Sequence, residues 1–239
     1  MNESPVSESK DDSLPQGRRS GRSLMWFIVH VVVYLPLRLW CRTRAVGREN
    51  LDPKCGGILL VNHQSFFDPL FVTVRLSRAV SFLARDTLFR IPFLSFILRT
   101  TFVIPISRTA FRGGSIRTAL DRLAAGYLVG IFPEGTRSAG VPKKFRPGFL
   151  SLARRTEVPV YPVAIVGADR LLPKGSWFPR PGAVTIVYGE PLNEEERAHL
   201  SNADDDHAVA EMMRDKVRAL YETVAGQGAE DSTDQPAAS

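Results

Sequence analysis

Six short apolar runs, β-branched or aromatic at most positions, punctuate the chain at 57–62, 79–84, 102–106, 127–132, 159–166 and 183–188. Runs of that length and composition predict buried strands. Between two of them, "SIRTALDRLAAG" sets Ile116, Ala119, Leu120 and Leu123 at helical spacing and closes on Gly126, a C-terminal cap. Near the end, Val209, Met212, Met213, Val217, Leu220 and Val224 mark one face of an amphipathic helix. Strands alternating with helices predict an α/β fold with a mostly parallel central sheet flanked by helices. In such sheets, polar loops beyond the strand ends are where chemistry is expected.

The two ends read differently. Residues 1–23 are polar and rich in Ser, Asp, Gly and Arg, and 225–239 are of similar character, so both are expected to be disordered. The domain is then expected over 42–224. Between arm and domain lies "LMWFIVHVVVYLPLRLWC" at 24–41. Its uninterrupted apolar part would make a helix of roughly 21 Å, short of a hydrocarbon core of roughly 30 Å. Trp26, Tyr34 and Trp40, flanked by arginines, suit the headgroup zone. The segment is therefore expected to be an apolar membrane-associating helix lying in one leaflet; a short spanning anchor and a core helix are the alternatives.

Charge sharpens the picture. The 239 residues hold 31 basic and 25 acidic side chains, a net +6, and only six of the basic ones are lysine. Arginine's planar fork suits phosphate, so an anionic partner is expected: nucleic acid, a membrane surface or a phosphorylated small molecule. No groove-reading motif or aromatic RNA platform supports nucleic acid. Two cysteines, Cys41 and Cys55, give no metal quartet and no CxxC pair, so no metal is expected, and the compartment is expected to be reducing.

Two polar exits carry candidate chemistry. In "GGILLVNHQSFFD", His63 follows a strand directly and Asp68 precedes Pro69. Residues five apart diverge on a continuous helix, so the pair meets only if His63 lies in a turn and Asp68 at a helix start. An imidazole so placed accepts a proton at neutral pH, and a carboxylate on its other nitrogen fixes the tautomer. Asp68 fits an N-cap, or a capping box with Ser65, equally well. The second exit, "PEGTRS" at 133–138, offers a turn at Pro133, close backbone approach at Gly135, and a hydroxyl and a guanidinium at Thr136 and Arg137. Glu134 can orient an arginine or accept from a substrate hydroxyl. An ordinary Pro-Gly turn is the plain alternative. A third exit, "FVIPISR" at 102–108, ends on Arg108, and Lys143, Lys144 and Arg146 follow further on. There is no G-x-S-x-G, so a base without a protein nucleophile suggests that the substrate brings the hydroxyl.

In this order, "NHQSFFD", "FVIPISR", "FPEGTRS" and "VPVYPVAI" resemble the blocks of the glycerolipid acyltransferase family that includes the 1-acylglycerol-3-phosphate acyltransferases, over roughly 43–192. The second block matches only in part: Phe102 and Ser107 stand where members often carry Gly and Asp or Lys. The resemblance implies that His63 is the general base and Asp68 its partner. It implies that Arg108, Glu134, Gly135, Thr136 and Arg137 bind the acceptor. It further implies direct transfer of a fatty acyl group from acyl-CoA or acyl-ACP, a co-substrate rather than a cofactor, to lysophosphatidate, giving phosphatidate. Another lysophospholipid or glycerol 3-phosphate is the alternative acceptor, and a phospholipid the alternative donor. The different-class rival is a non-catalytic membrane-surface binder. Membrane lipids are the expected surroundings, on the cytoplasmic face of the inner or plasma membrane. Phe66, Phe67 and "LFRIPFLSFIL" at 88–98 fit either an acyl groove or the core.

Overall fold

The strand that delivers His63 lies at the centre of the molecule. The computed structural model describes residues 35–85, 90, 103–106, 114–171 and 180–230. In chain order the elements are α1 (Leu35–Trp40), β1 (Thr43–Val46), β2 (Gly57–Val61), α2 (Asp68–Thr73), β3 (Val80–Arg85), β4 (Ile104–Ile106) and α3 (Gly114–Ala124). There follow β5 (Leu128–Ile131), α4 (Leu150–Ala153), β6 (Val160–Val166), α5 (Ala168–Leu171), β7 (Val184–Tyr188), α6 (Glu194–Asn202) and α7 (Asp206–Glu230). They build a seven-stranded sheet in the order β1-β7-β6-β2-β5-β3-β4. Strands β6, β2, β5, β3 and β4 are mutually parallel. Strand β7 runs antiparallel to β6, and β1 runs parallel to β7.

Alternation along β2 shows why the strand is apolar throughout. Ile58 and Leu60 enter one core with Ile116 and Leu123 of α3, Leu150 of α4, and Val209, Met213 and Val217 of α7. Leu59 and Val61 enter a second core on the opposite face, with Phe71 and Val72 of α2 and Leu171 of α5. A strand covered on both faces has no polar side to show, which is the signature of a parallel interior.

All six predicted strands are present. Strand β1 is not among them: its sequence, "TRAV", has Arg44 and Val46 exposed, as an edge strand does. The closing helix continues to Glu230, six residues past the expected end of the domain at 224, because an established helix gains one hydrogen bond per added residue. Gly126 takes φ 85° and caps α3 as predicted. Residues 1–34 lie outside the described residues, and with them the polar arm and most of the apolar segment. The part of that segment that is described, Leu35–Trp40, is helical. Among the described residues no helix is long and apolar enough to cross a membrane.

Several arginines serve the fold itself. The Arg78 guanidinium donates to the carbonyls of Asp52, Cys55 and Gly126. Arg197 does the same for Ala153, Thr156 and Val158. The arginine excess is therefore partly structural.

Candidate active site

Parallel register decides the neighbours. Leu60 of β2 pairs with Ile131 of β5, so the residues leaving the two strands, His63 and Glu134, emerge side by side. Asn62 fixes the exit of β2. Its fully buried amide donates to the Ile165 carbonyl (3.0 Å) and accepts from the Ile165 N–H (2.7 Å), doing what a sheet rung would do. Gln64 ties the next turn down in the same way, donating to the Gly140 carbonyl and accepting from the Ala168 N–H.

His63 and Asp68 meet, with Nδ1 2.8 Å from Oδ2. Asp68 is the first residue of α2, and the N-cap position belongs to Phe67, which makes no side-chain cap bond. The Asp68 carboxylate is fully buried, and Oδ2 also accepts the N–H groups of Gln64 (2.6 Å) and Ser65 (2.7 Å). Oδ1 is buried with no partner among the described residues. Burial pushes the Asp68 carboxyl above the usual carboxylate range, and His63 and the two backbone donors act against that push. A carboxylate acceptor keeps the ring proton on Nδ1 and leaves Nε2 open to a substrate proton. The His63 side chain is 21% exposed, enough to be reached from solvent.

The ring is also held from below. His63 stacks on Phe132 with centroids 4.3 Å apart, and Phe132 stacks on Phe82 at 5.1 Å. This column stands over Gly130. A Cβ there would lie 2.3 Å from Cε1 of Phe82.

The 133–138 loop is joined to the histidine through the main chain. The Ser138 N–H donates to the His63 carbonyl (2.7 Å), and Glu134 Oε1 accepts the His63 N–H (3.0 Å). Glu134 Oε2 accepts the Ser138 hydroxyl at 2.6 Å, and the residue is buried. Glu134 is thus turned inward as a brace with both oxygens engaged, a role that its sequence does not disclose. Gly135 has φ 66°, and its N–H closes the turn onto the Phe132 carbonyl. The Arg146 side chain lies against its Cα, where an added Cβ would sit 3.3 Å from Nε. Thr136 and Arg137 are exposed. Arg108 and the rest of 107–113 lie outside the described residues, as does most of 88–98.

Beside this loop opens a cleft of about 310 Å³ lined by Glu134, Thr136, Lys143, Lys144, Arg146 and His207, with Phe145 and Pro147. Neither His63 nor Arg137 lines it. Lys143, Lys144 and Arg146 follow the loop in sequence, so their proximity was readable. His207 comes from the start of α7, and no sequence signal pointed to it. Among the described residues no cluster of His, Cys, Asp and Glu has the makings of a metal site.

A buried carboxylate behind a half-open imidazole, locked to a glycine-turned basic loop, is an arrangement able to take a proton from a bound alcohol. The family model described as Acyltransferase matches residues 42–166, more than half of the chain. The chain belongs to the acyltransferase family. Relatives agree. The 1-acyl-sn-glycerol-3-phosphate acyltransferase of Pseudomonas aeruginosa is 30% identical over 209 residues, 78% of this chain and 75% of that one. A protein of the same name from Chlamydomonas reinhardtii is 35% identical over 158 residues, 64% of this chain. The match spans just 47% of the algal protein's length. Among solved structures, the 1-acyl-sn-glycerophosphate acyltransferase PlsC of Thermotoga maritima superposes with a TM-score of 0.59 at 25% identity. That likeness covers 92% of this chain and 88% of the other. In this acyltransferase, then, the first and third sequence blocks are the two strand exits just described.

Proposed function

We propose that this acyltransferase acylates the free hydroxyl of lysophosphatidate to give phosphatidate, with an acyl thioester of coenzyme A or acyl carrier protein as donor. The observation that carries the reading is the His63–Asp68 contact of 2.8 Å in a residue pair bonded through its backbone to the basic loop. Nε2 of His63 takes the proton as the substrate oxygen attacks the thioester carbonyl. The tetrahedral intermediate collapses with loss of the thiolate, which recovers the proton from the imidazolium; Asp68 stabilises that cation.

No enzyme-bound ester is needed, and the neighbouring serines are poor candidates for one. The Ser138 hydroxyl donates to Glu134, and the Ser65 oxygen accepts the Phe67 N–H. The acceptor's phosphate is assigned to the exposed Thr136 and Arg137, with Arg108 supplied from the third exit and Lys144 and Arg146 bordering the same loop. Glu134 and Gly135 shape that loop. Leu35, Leu39 and Trp40, exposed at 48%, 70% and 55%, support a monotopic seat at a membrane; the cytoplasmic face is our proposal for it.

The deciding experiment gives purified protein labelled acyl-CoA or acyl-ACP with a panel of lysolipids and glycerol 3-phosphate, beside His63→Ala. Labelled phosphatidate, lost by roughly 100-fold or more in the variant, supports the reading. Equal transfer by wild type and variant removes His63 from the chemistry, and a preference for another acceptor reassigns the substrate.

A further inference from the structure

At the far edge of the sheet, four arginines gather without a counter-ion among the described residues. The Arg75 guanidinium donates to both the carbonyl and the hydroxyl of Thr43 in β1, and Arg48 donates to the Arg75 carbonyl. Arg44, Arg48 and Arg75, with Thr43 and Ala45, line a cavity of about 190 Å³. Exposed Arg38 of α1 does not line that cavity, but its charge reaches it: burial first, then the charges of Arg38 and Arg48, lower the Arg75 pKa. Among the described residues no carboxylate forms an ion pair with any of the four. Like charges held together this way invite a shared anion.

The neighbouring surface is apolar. Leu35, Leu39 and Trp40 of α1 and Val46 of β1 are all exposed large hydrophobic residues. Strand register then places the patch. Arg44 pairs with Thr185, and Thr185 pairs with Val166, three residues past the Val163 that pairs with Val61. The start of β1, with α1 just before it, therefore lies on the rim where β2 releases His63. Because β1 and β7 run against the parallel block, they bring chain from the N-terminus to the catalytic end.

We propose that Arg38, Arg44, Arg48 and Arg75 form a seat for the phosphate of an anionic lipid headgroup, with α1 resting its apolar side chains in the same lipid surface. The seat is separate from the acceptor site and holds a lipid that is not acylated. It orients the molecule so that the His63 rim faces the bilayer. The inference goes beyond the acyl-transfer reading and stands without it, since its test measures binding rather than turnover.

The test is flotation of the full chain with vesicles of phosphatidylcholine alone and of phosphatidylcholine mixed with phosphatidylglycerol. Wild type should prefer the anionic vesicles, and salt should erode the preference. Arg44→Glu/Arg48→Glu should cut that preference about tenfold or more while leaving zwitterionic binding within about twofold. Trp40→Ser should weaken binding to both. Arg44→Gln, at an exposed side chain with no bond among the described residues, keeps the proposal testable if the double variant fails to fold; it should lose part of the preference. An unchanged preference in the folded arginine variants would overturn the seat. So would an equal loss on both vesicle types when the arginines are replaced. Two other results overturn it as well: melting protected by inorganic phosphate through Arg44 with no vesicle preference, or a dimer that Trp40→Ser dissociates.

Discussion

Glu134 separates bracing from chemistry. Its carboxylate is buried and spans two donors, the His63 N–H at 3.0 Å and the Ser138 hydroxyl at 2.6 Å. Glu134→Ala deletes both charge-assisted bonds, each worth about 1.5–3 kcal/mol. The sum, about 3–6 kcal/mol, is a large share of a typical domain's 5–15 kcal/mol. Glu134→Gln behaves differently. Its carbonyl oxygen still accepts the His63 N–H, and its amide donates to the Ser138 oxygen, which can accept once its own hydrogen rotates away. The loss then shrinks by half, to about 1.5–3 kcal/mol, the charge assistance alone. Urea unfolding beside steady-state acyl transfer checks the pair. Alanine should unfold early and transfer poorly, whereas glutamine should lose about half as much stability and transfer near the wild-type rate. A folded glutamine variant whose kcat falls 100-fold would show the carboxylate acting on substrate, and the bracing argument would fail.

Asp68→Asn offers a second separation. With its oxygen at the Oδ2 position it keeps all three bonds there, but it loses the charge and sets an NH2 where the buried Oδ1 has no partner, so kcat should fall and the folded protein should be less stable by about 1–3 kcal/mol at low pH. Burial raises the folded pKa of Asp68 above its ordinary 3.8. The stability that this group lends is therefore fully present below pH 3.8 and is lost as pH climbs through the raised value. The amide variant has no such loss, so unfolding curves from pH 4 to 8 should show it gaining on wild type; the opposite trend would mean that the bonds outweigh burial. Gly130→Ala drives a Cβ into Phe82 and should cost about 1–3 kcal/mol in urea unfolding and lower kcat, because the displaced ring carries Phe132 and His63. An unaltered kcat would detach the column from catalysis. Asn62→Leu leaves both main-chain groups of Ile165 unpaired, at about 1–3 kcal/mol each; a stability equal to wild type would show that water replaces the amide. Arg137→Ala should raise the acceptor KM more than it lowers kcat, and an unchanged KM would take its guanidinium out of the phosphate site.

What the chain discloses by pattern is what is buried on both sides. Strands β2, β5, β6 and β7 stand out because neither face may be polar. Strand β1 has one neighbour and exposes Arg44, so its composition resembles a loop. The reversal of β7 against β6 has no periodic signature at all, since parallel and antiparallel interior strands look alike as sequence. The His63–Asp68 pairing was readable because a proline and a strand end bracket it. Its support was not. Glu134 reads as a free carboxylate beside a turn, and its inward role depends on β2 and β5 being neighbours in register. The same holds for Gly130, whose importance lies in a phenylalanine 48 residues earlier.

The Ser138 bond to the His63 carbonyl makes base and basic loop one solid piece rather than two jaws. If the loop holds the acceptor's phosphate as proposed, a fixed piece of that kind gauges its substrate: it admits an alcohol whose hydroxyl stands a set number of bonds from its phosphorus. A molecule one carbon longer or shorter reaches one end of the gauge or the other, never both. On the proposed acyl transfer, selectivity for the glycerol spacing comes from rigidity.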